Sequence, residues 1–153
     1  MSPPDPALDV QPGERLQALR AVEILLRIQR LAMDHFPGDD LETVAVFLTV
    51  AAASMAPVHR DEAALKIIRR DPLPPDWYRP ISGRAVAAST GFARETVRRR
   101  LEHLIQAGQI DRVEGGYCLA EGALSRGQNL AFVRALIHEL DTAHQHLARC
   151  DKG

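Results

Sequence analysis

The feature that most constrains the fold is a set of steric signals in the second half of the chain. Ser82 can cap a short helix over residues 83–89, because a serine oxygen accepts a hydrogen bond from the first helical turn. Within this helix the small side chain of Ala87 allows a second helix to cross closely. Gly91 can adopt the positive φ of a tight turn, and Val97 lies where the second helix must pack. This spacing predicts a helix-turn-helix.

The second helix, predicted over residues 93–107, divides into two faces. One face is apolar and is expected to be buried, through Val97, Leu101, Leu104 and Ile105. The other face and the start of the helix are charged or polar, and four arginines occur close together: Arg94, Arg98, Arg99 and Arg100. The first residues of such a helix reach base edges in the major groove of DNA. An arginine suits guanine and a glutamate accepts from cytosine, so Arg94, Glu95, Arg98 and Arg99 are expected to set sequence preference.

A β-hairpin is predicted directly after this helix. Residues 109–113 alternate as a strand, Glu114-Gly115-Gly116 forms a tight reversal, and residues 117–119 return. A hairpin in this place is a wing, whose tip can lie along a phosphate backbone. The residues expected to contact phosphates are Arg84, Ser89, Thr90 and Arg112. Arg100 lies near the rim of the buried face and can equally pair with an acid elsewhere in the fold.

The segment from Ile81 to Leu119 resembles the winged-helix domains of bacterial regulators in the GntR and MarR families. The resemblance implies binding to double-stranded DNA. In GntR-type domains, Arg84, Arg94, Thr96 and Arg98 match positions that commonly contact DNA. The length and layout of the chain are closer to MarR-type proteins, in which helices from both termini form the dimer. The resemblance leaves the family of the full chain unassigned.

The fold class expected from these patterns is mainly α, a winged helix-turn-helix with a three-helix core, a β-hairpin wing and long terminal helices. We divide the chain into a disordered arm over residues 1–13, a helical region with a Pro-rich connector over 14–79, the winged helix-turn-helix over 80–120, and a dimerisation helix over 121–150. In the second region, apolar spacing predicts helices over 14–35, 41–55 and 61–68. Trp77 and Tyr78 are expected to pin the connector to the core.

Both terminal helices carry apolar stripes that are suited to a partner. The apolar surface of residues 14–35 is wider than one packing contact needs, so part of it is expected to face a second subunit. The last helix is predicted over residues 128–148, and its stripe consists of Leu130, Val133, Leu136, Ile137, Leu140 and Leu147. These helices predict a homodimer, whose two recognition helices would enter major grooves about 34 Å apart on a pseudo-palindromic site.

Composition narrows the function further. The formal net charge is −1, so nucleic-acid binding must rest on local charge. The two cysteines, Cys118 and Cys150, have no CxxC spacing, which favours a reducing compartment. The Pro-rich N-terminus lacks the pattern of a signal peptide, and the apolar run over residues 44–58 is shorter than the ~20 residues that span a bilayer. We therefore expect a cytoplasmic, nucleoid-associated protein without a membrane partner.

Enzymatic and metal-binding functions find no support in the residue pattern. No nucleophile, base and orienting group occur together, so no catalytic residue is assigned. The spacing of the six histidines does not form a metal site, and no cofactor is expected. His144 is read as packed in the apolar stripe of the last helix, His103 as exposed, and Cys118 as a small buried residue.

The sequence thus predicts a sequence-specific DNA-binding transcription regulator, acting as a dimeric repressor by steric occlusion. Two alternatives stay open. One is a winged helix that binds a protein, as an adaptor or antirepressor. The other is a MarR-like regulator that senses a small molecule, with a pocket between the helix over residues 41–55 and its neighbours.

Overall fold

A computed structural model of the chain describes residues 13–68 and 74–150. This part of the chain contains one two-stranded antiparallel sheet and six α-helices, in the order α1 (Glu14–His35), α2 (Leu41–Met55), α3 (Glu62–Ile68), α4 (Gly83–Thr90), α5 (Arg94–Gln106), β1 (Ile110–Val113), β2 (Gly116–Leu119) and α6 (Gly127–Cys150). Short 3₁₀ turns lie at Val58–Arg60, Pro75–Trp77 and Ala123–Ser125. The expected mainly helical architecture is confirmed. Residues 1–12 of the predicted arm and residues 69–73 before and within the connector lie outside the described residues.

The predicted boundaries of α4 and its turn follow from local capping. The Ser82 hydroxyl accepts a hydrogen bond from the Ala85 amide at 3.1 Å, which starts α4. Gly91 ends the helix with φ +74°, and its amide donates to the Ala87 carbonyl at 2.9 Å. A left-handed conformation is readily available to glycine, so this residue permits the tight turn into α5. The predicted pair of helices joined at Gly91 is confirmed.

Helix α2 is the central element of the core, as its apolar sequence predicts. Val46, Phe47 and Val50 are almost completely buried. The helix packs against α4, α5 and β2, although the connector separates it from them in sequence. Its last buried residue, Ser54, accepts a hydrogen bond from the Leu119 amide of β2 at 3.0 Å. The hydrophobic core beneath α4 and α5 therefore includes residues of α2, which lies outside the predicted domain of residues 80–120.

The hairpin forms where it is predicted, but its turn has two residues and not three, because Gly116 belongs to β2. Ile110 pairs with Leu119 and Val113 with Gly116, leaving Glu114 and Gly115 at the tip. Outside the hairpin, Ile81 forms an isolated bridge to Tyr117, with both backbone hydrogen bonds at 2.9 Å. The segment before α4 thus runs beside β2 and fixes the hairpin to the start of the helix pair.

Helices α1 and α6 lie side by side and run antiparallel. The ring of His35, at the end of α1, meets Phe132, near the start of α6, with 6.0 Å between centroids. Further along the pair, Arg27 lies 3.6 Å from Glu139. This packing buries Ala32, Phe132 and Ala143.

The apolar stripe of α6 is not simply an inward face. Leu130, Val133, Leu136 and Leu147 are partly buried, whereas Ile137 and Leu140 are 62% and 49% exposed. The reading of His144 as a packed histidine is wrong, because its side chain is exposed and the neighbouring Ala143 takes the inward position. One residue corresponds to about 100° on a helix, so such a neighbour faces elsewhere.

The connector is held as expected. Trp77 and Tyr78 pack against a small cluster formed by Val58 and Ala64, and Arg79 donates its amide to the Ser54 carbonyl at 3.1 Å. No helix formed by residues 13–68 or 74–150 combines the length and apolarity needed to cross a bilayer.

Candidate nucleic-acid interface

Helix α5 is anchored by one apolar edge. Val97, Leu101 and Leu104 are each at most 3% exposed, and Ile105 is partly buried beside them. This edge packs against α2 and α4 and extends into the main core. The predicted division of α5 into two faces is confirmed, and the opposite face is turned outward.

Three arginines of the helix pair α4 and α5 have exposed side chains. They are Arg84 on α4 and Arg94 and Arg99 on α5. None of them forms an ion pair with any residue in 13–68 or 74–150, so their guanidinium groups remain available to an anion. Each is a strong donor with a fork that matches phosphate and guanine.

Arg98 and Glu95 neutralise each other. The guanidinium donates to both carboxylate oxygens, at 3.0 and 2.7 Å. These hydrogen bonds, with the positive charges of Arg98 and Arg99 adding to them, lower the pKa of Glu95. Two of the residues expected to set sequence preference are thus joined in one exposed pair.

Arg112 is held by the protein itself. Its guanidinium lies 2.5 Å from a carboxylate oxygen of Glu102 on α5 and 5.5 Å from the ring centroid of Tyr117. The neighbouring exposed side chains on the hairpin, Asp111 and Glu114, are acidic. Arg112 therefore links the hairpin to α5. The hairpin surface carries less free positive charge for a phosphate than the sequence predicts.

Arg100 pairs with acids, which confirms one of its two expected roles. It contacts the carboxylates of Asp40 and Glu42, the latter at 3.0 Å, at the start of α2. Burial alone would raise the pKa of Asp40, but hydrogen bonds from Thr43 and the charge of Arg100 outweigh burial and lower it. This arginine docks α5 on α2 and does not belong to the outward set.

The hydroxyl-bearing candidates differ in availability. Ser89 is exposed at the end of α4. The Thr90 hydroxyl donates to the Val86 carbonyl at 2.9 Å and accepts from the Phe92 amide at 3.3 Å, so it shapes the turn. Thr96 is partly buried on α5.

The predicted pocket beside α2 has a counterpart. A cavity of about 170 Å³ lies between the end of α1, α2, the end of α5 and the start of α6. His103 is exposed, as expected, and its Nε2 lies 2.8 Å from Asp39 Oδ1 at the cavity wall. Within the described residues, no three histidine, cysteine or acidic side chains cluster as a metal site would require.

Cys118 is buried on β2, as predicted. Burial, and to a smaller extent the charge of Asp111, raises the pKa of its thiol. A thiol in this state is a packing residue and lacks the electropositive surroundings of a reactive cysteine.

The acidic partners of the arginines were not predicted from the sequence. Glu95 is three residues from Arg98, and that spacing on a helix is a readable signal for the pair. Asp39, Asp40 and Glu42 lie close together in the sequence and indicate a basic partner, but they do not identify Arg100. The contact of Glu102 with Arg112 depends on how the hairpin folds back, and no local pattern encodes it.

Comparison with protein-family models, with curated proteins and with solved structures finds no match to the chain.

Proposed function

We propose that the chain is a sequence-specific, double-stranded DNA-binding transcription regulator. The observation that carries the proposal is that Arg84 on α4 and Arg94 and Arg99 on α5 are exposed and form no ion pair with the described residues, while the opposite edge of α5 is buried. On a chain of net charge −1, this is a localised basic surface and not a consequence of bulk charge.

The arrangement around α5 supports a winged helix-turn-helix. Helices α2, α4 and α5 share one core, α4 and α5 meet at the Gly91 turn, and a hairpin follows α5. An isolated bridge from Ile81 to Tyr117 joins the segment before α4 to the hairpin. In such domains the second helix of the pair enters the major groove.

Each available group has a role in this proposal. Arg84 and Ser89, on α4, contact phosphates and set the register. Ala93 provides no side-chain cap, so the first amides of α5 are also available to a phosphate oxygen. Arg94 and Arg99 read base edges, and the Glu95–Arg98 pair presents an acceptor and a donor together.

We also propose that a second copy covers the terminal helices. In the described part of the chain, eleven large apolar side chains are exposed, and eight of them lie on α1 and α6: Leu16, Leu19, Val22, Leu25, Leu26, Met33, Ile137 and Leu140. Clustering of this kind marks an interaction surface. A two-fold dimer would present two copies of α5 to successive major grooves and repress transcription by occluding the promoter.

The experiment is selection of binding sites by the full chain from a random duplex library. The proposal predicts an enriched motif with two-fold symmetry, with half-sites about one helical turn apart. An Arg94→Ala or Arg99→Ala variant should lose preference at one position of each half-site, by ~1–3 kcal/mol. Arg60→Ala, which removes an exposed arginine in the 3₁₀ turn after α2, is the matched control and should select the same motif.

Failure to enrich any duplex would contradict the proposal. It would leave the protein-binding winged helix as the alternative, because the same exposed surface would then serve a protein partner.

A further inference from the structure

The cavity between the end of α1, α2, the end of α5 and the start of α6 has the size of a small ligand. Its volume is about 170 Å³, and a dry protein cavity of roughly 150 Å³ holds one benzene molecule. The apolar part of the wall consists of Phe36, Val44, Phe47 and Leu104, all buried, with Ala107 at the end of α5. The space therefore accommodates one six-membered ring with a short substituent.

Most polar groups in the wall are already engaged inside the protein. The Thr43 hydroxyl donates to Asp40 at 2.8 Å, and the side-chain carbonyl of Gln109 accepts from Asn129 at 2.6 Å. Buried groups that are satisfied in this way offer little to a ligand.

Asp39 is the acidic side chain among the residues that line the cavity. Only 23% of its side chain is exposed, and Oδ1 faces His103 at 2.8 Å. Oδ2 makes no hydrogen bond with the described part of the chain. The histidine that faces this carboxylate is charged only when it is protonated.

We propose that this cavity binds a small primary amine that carries a compact apolar ring. The ring packs against Phe36, Phe47 and Leu104, and the ammonium group donates to the Asp39 carboxylate. An ammonium group carries a full charge and three donors, so it forms charge-assisted hydrogen bonds with a carboxylate. This inference stands independently of DNA binding.

Occupancy of the cavity has a direct consequence for α5. An ammonium group that donates to both oxygens of Asp39 displaces His103 from Oδ1, and His103 is part of α5. Binding of the amine therefore breaks the contact between His103 of α5 and Asp39, in the turn between α1 and α2. The ion pairs of Arg100 with Asp40 and Glu42 remain.

The test uses three probes of nearly equal size: benzylamine, the neutral benzyl alcohol and the anionic benzoate. Thermal unfolding of the full chain at neutral pH should shift upward with benzylamine concentration, because a ligand that binds only the folded state stabilises it. Benzyl alcohol should give a smaller shift and benzoate none. Equal shifts with all three probes, or no shift with benzylamine, would overturn the proposal.

Two variants make the test specific. Asp39→Asn removes the charge and should weaken benzylamine binding by about tenfold or more, measured by calorimetry. His103→Ala removes the competitor and should make benzylamine bind severalfold more tightly. Asp76→Asn, at an exposed acid that lines another cavity, is the control and should leave the affinity unchanged.

The opposite signs of these two effects separate a real site from a loss of folding. If Asp39→Asn does not fold, the His103→Ala result decides alone. Unchanged or weaker benzylamine binding by His103→Ala would contradict the assignment of Asp39 as the shared partner.

Discussion

Ser54 shows how a single residue joins distant parts of this fold. Its side chain is completely buried at the end of α2. The hydroxyl donates to the Val50 carbonyl at 2.8 Å and accepts from the Leu119 amide at 3.0 Å. A buried backbone amide is costly to leave without an acceptor, so this serine holds β2 against the central helix.

Replacing Ser54 by alanine should destabilise the protein by about 1–3 kcal/mol, because the Leu119 amide loses its acceptor in a place closed to water. Chemical denaturation measures the free energy of unfolding. Ser125→Ala, at an exposed serine of the last 3₁₀ turn, is the control and should stay within about 0.5 kcal/mol of wild type. Equal stability of the Ser54→Ala variant and wild type would contradict the role given to this hydrogen bond.

The arginines also differ in how available their guanidinium groups are, and the sequence alone predicts this only in part. The sequence predicts Arg99 on the outward face of α5 and Arg94 near the start of the helix, and both side chains are exposed. The commitment of Arg112 to Glu102 and Tyr117 was not predictable, because it joins side chains of different elements. Local pattern tells which way a side chain points, whereas its partner depends on the tertiary fold.

At the scale of elements, short-range signals carried most of the prediction. The serine cap, the glycine turn and the apolar edge of α5 act within a few residues, and the helix boundaries they predict agree with the structure. The packing of α2 on the helix pair could not be read in the same way, since the connector separates them and only burial brings them together. For α6, the apolar stripe alone does not determine which neighbouring residues face inward. The packing against α1 buries Phe132 and Ala143 and leaves Ile137 and Leu140 exposed.

One residue of the hairpin, Gly116, has no room for a side chain. Gly116 has φ +142°, and a Cβ there would lie 2.2 Å from the Ile81 carbonyl oxygen, which is part of the bridge to Tyr117. The Ile81 carbonyl oxygen cannot move away from this Cβ without losing its hydrogen bond from the Tyr117 amide. The Ile81 bridge beside the hairpin therefore depends on the absence of a side chain at this residue.

Replacing Gly116 by alanine should destabilise the protein by at least about 1–3 kcal/mol, the usual cost of a strained backbone, with the steric overlap adding to it. Thermal or chemical unfolding measures the change. Gly127→Ala is the matched control, because a Cβ at the start of α6 meets nothing within 4 Å. A Gly116→Ala variant as stable as Gly127→Ala would show that the Ile81 bridge is not held as described.

At the scale of the whole molecule, the exposed apolar faces of α1 and α6 predict self-association. Leu26 is 58% exposed on α1, and placing a charge there would leave a carboxylate inside a dimer interface. Leu26→Glu should therefore convert a dimer to a monomer, as measured by light scattering after size-exclusion chromatography. Leu65→Glu, at an exposed leucine of α3, is the control and should stay dimeric. A wild-type chain that is monomeric at micromolar concentration, or a Leu26→Glu variant that is still a dimer, would contradict the proposed assembly.

The most direct test of the central claim is the salt dependence of duplex affinity. Neutralised phosphates release counterions, so the logarithm of the binding constant falls with the logarithm of salt concentration by about 0.9 per phosphate contact. We predict that the variant lacking Arg84, Arg94 and Arg99 binds a selected duplex much more weakly, with a slope flatter by about one unit or more. Arg60→Ala, at an exposed arginine in the 3₁₀ turn after α2 and outside the proposed dimer and DNA-binding helices, should keep the wild-type slope. Identical affinity and slope for wild type and the first variant would contradict the proposal that α4 and α5 form the DNA-binding surface.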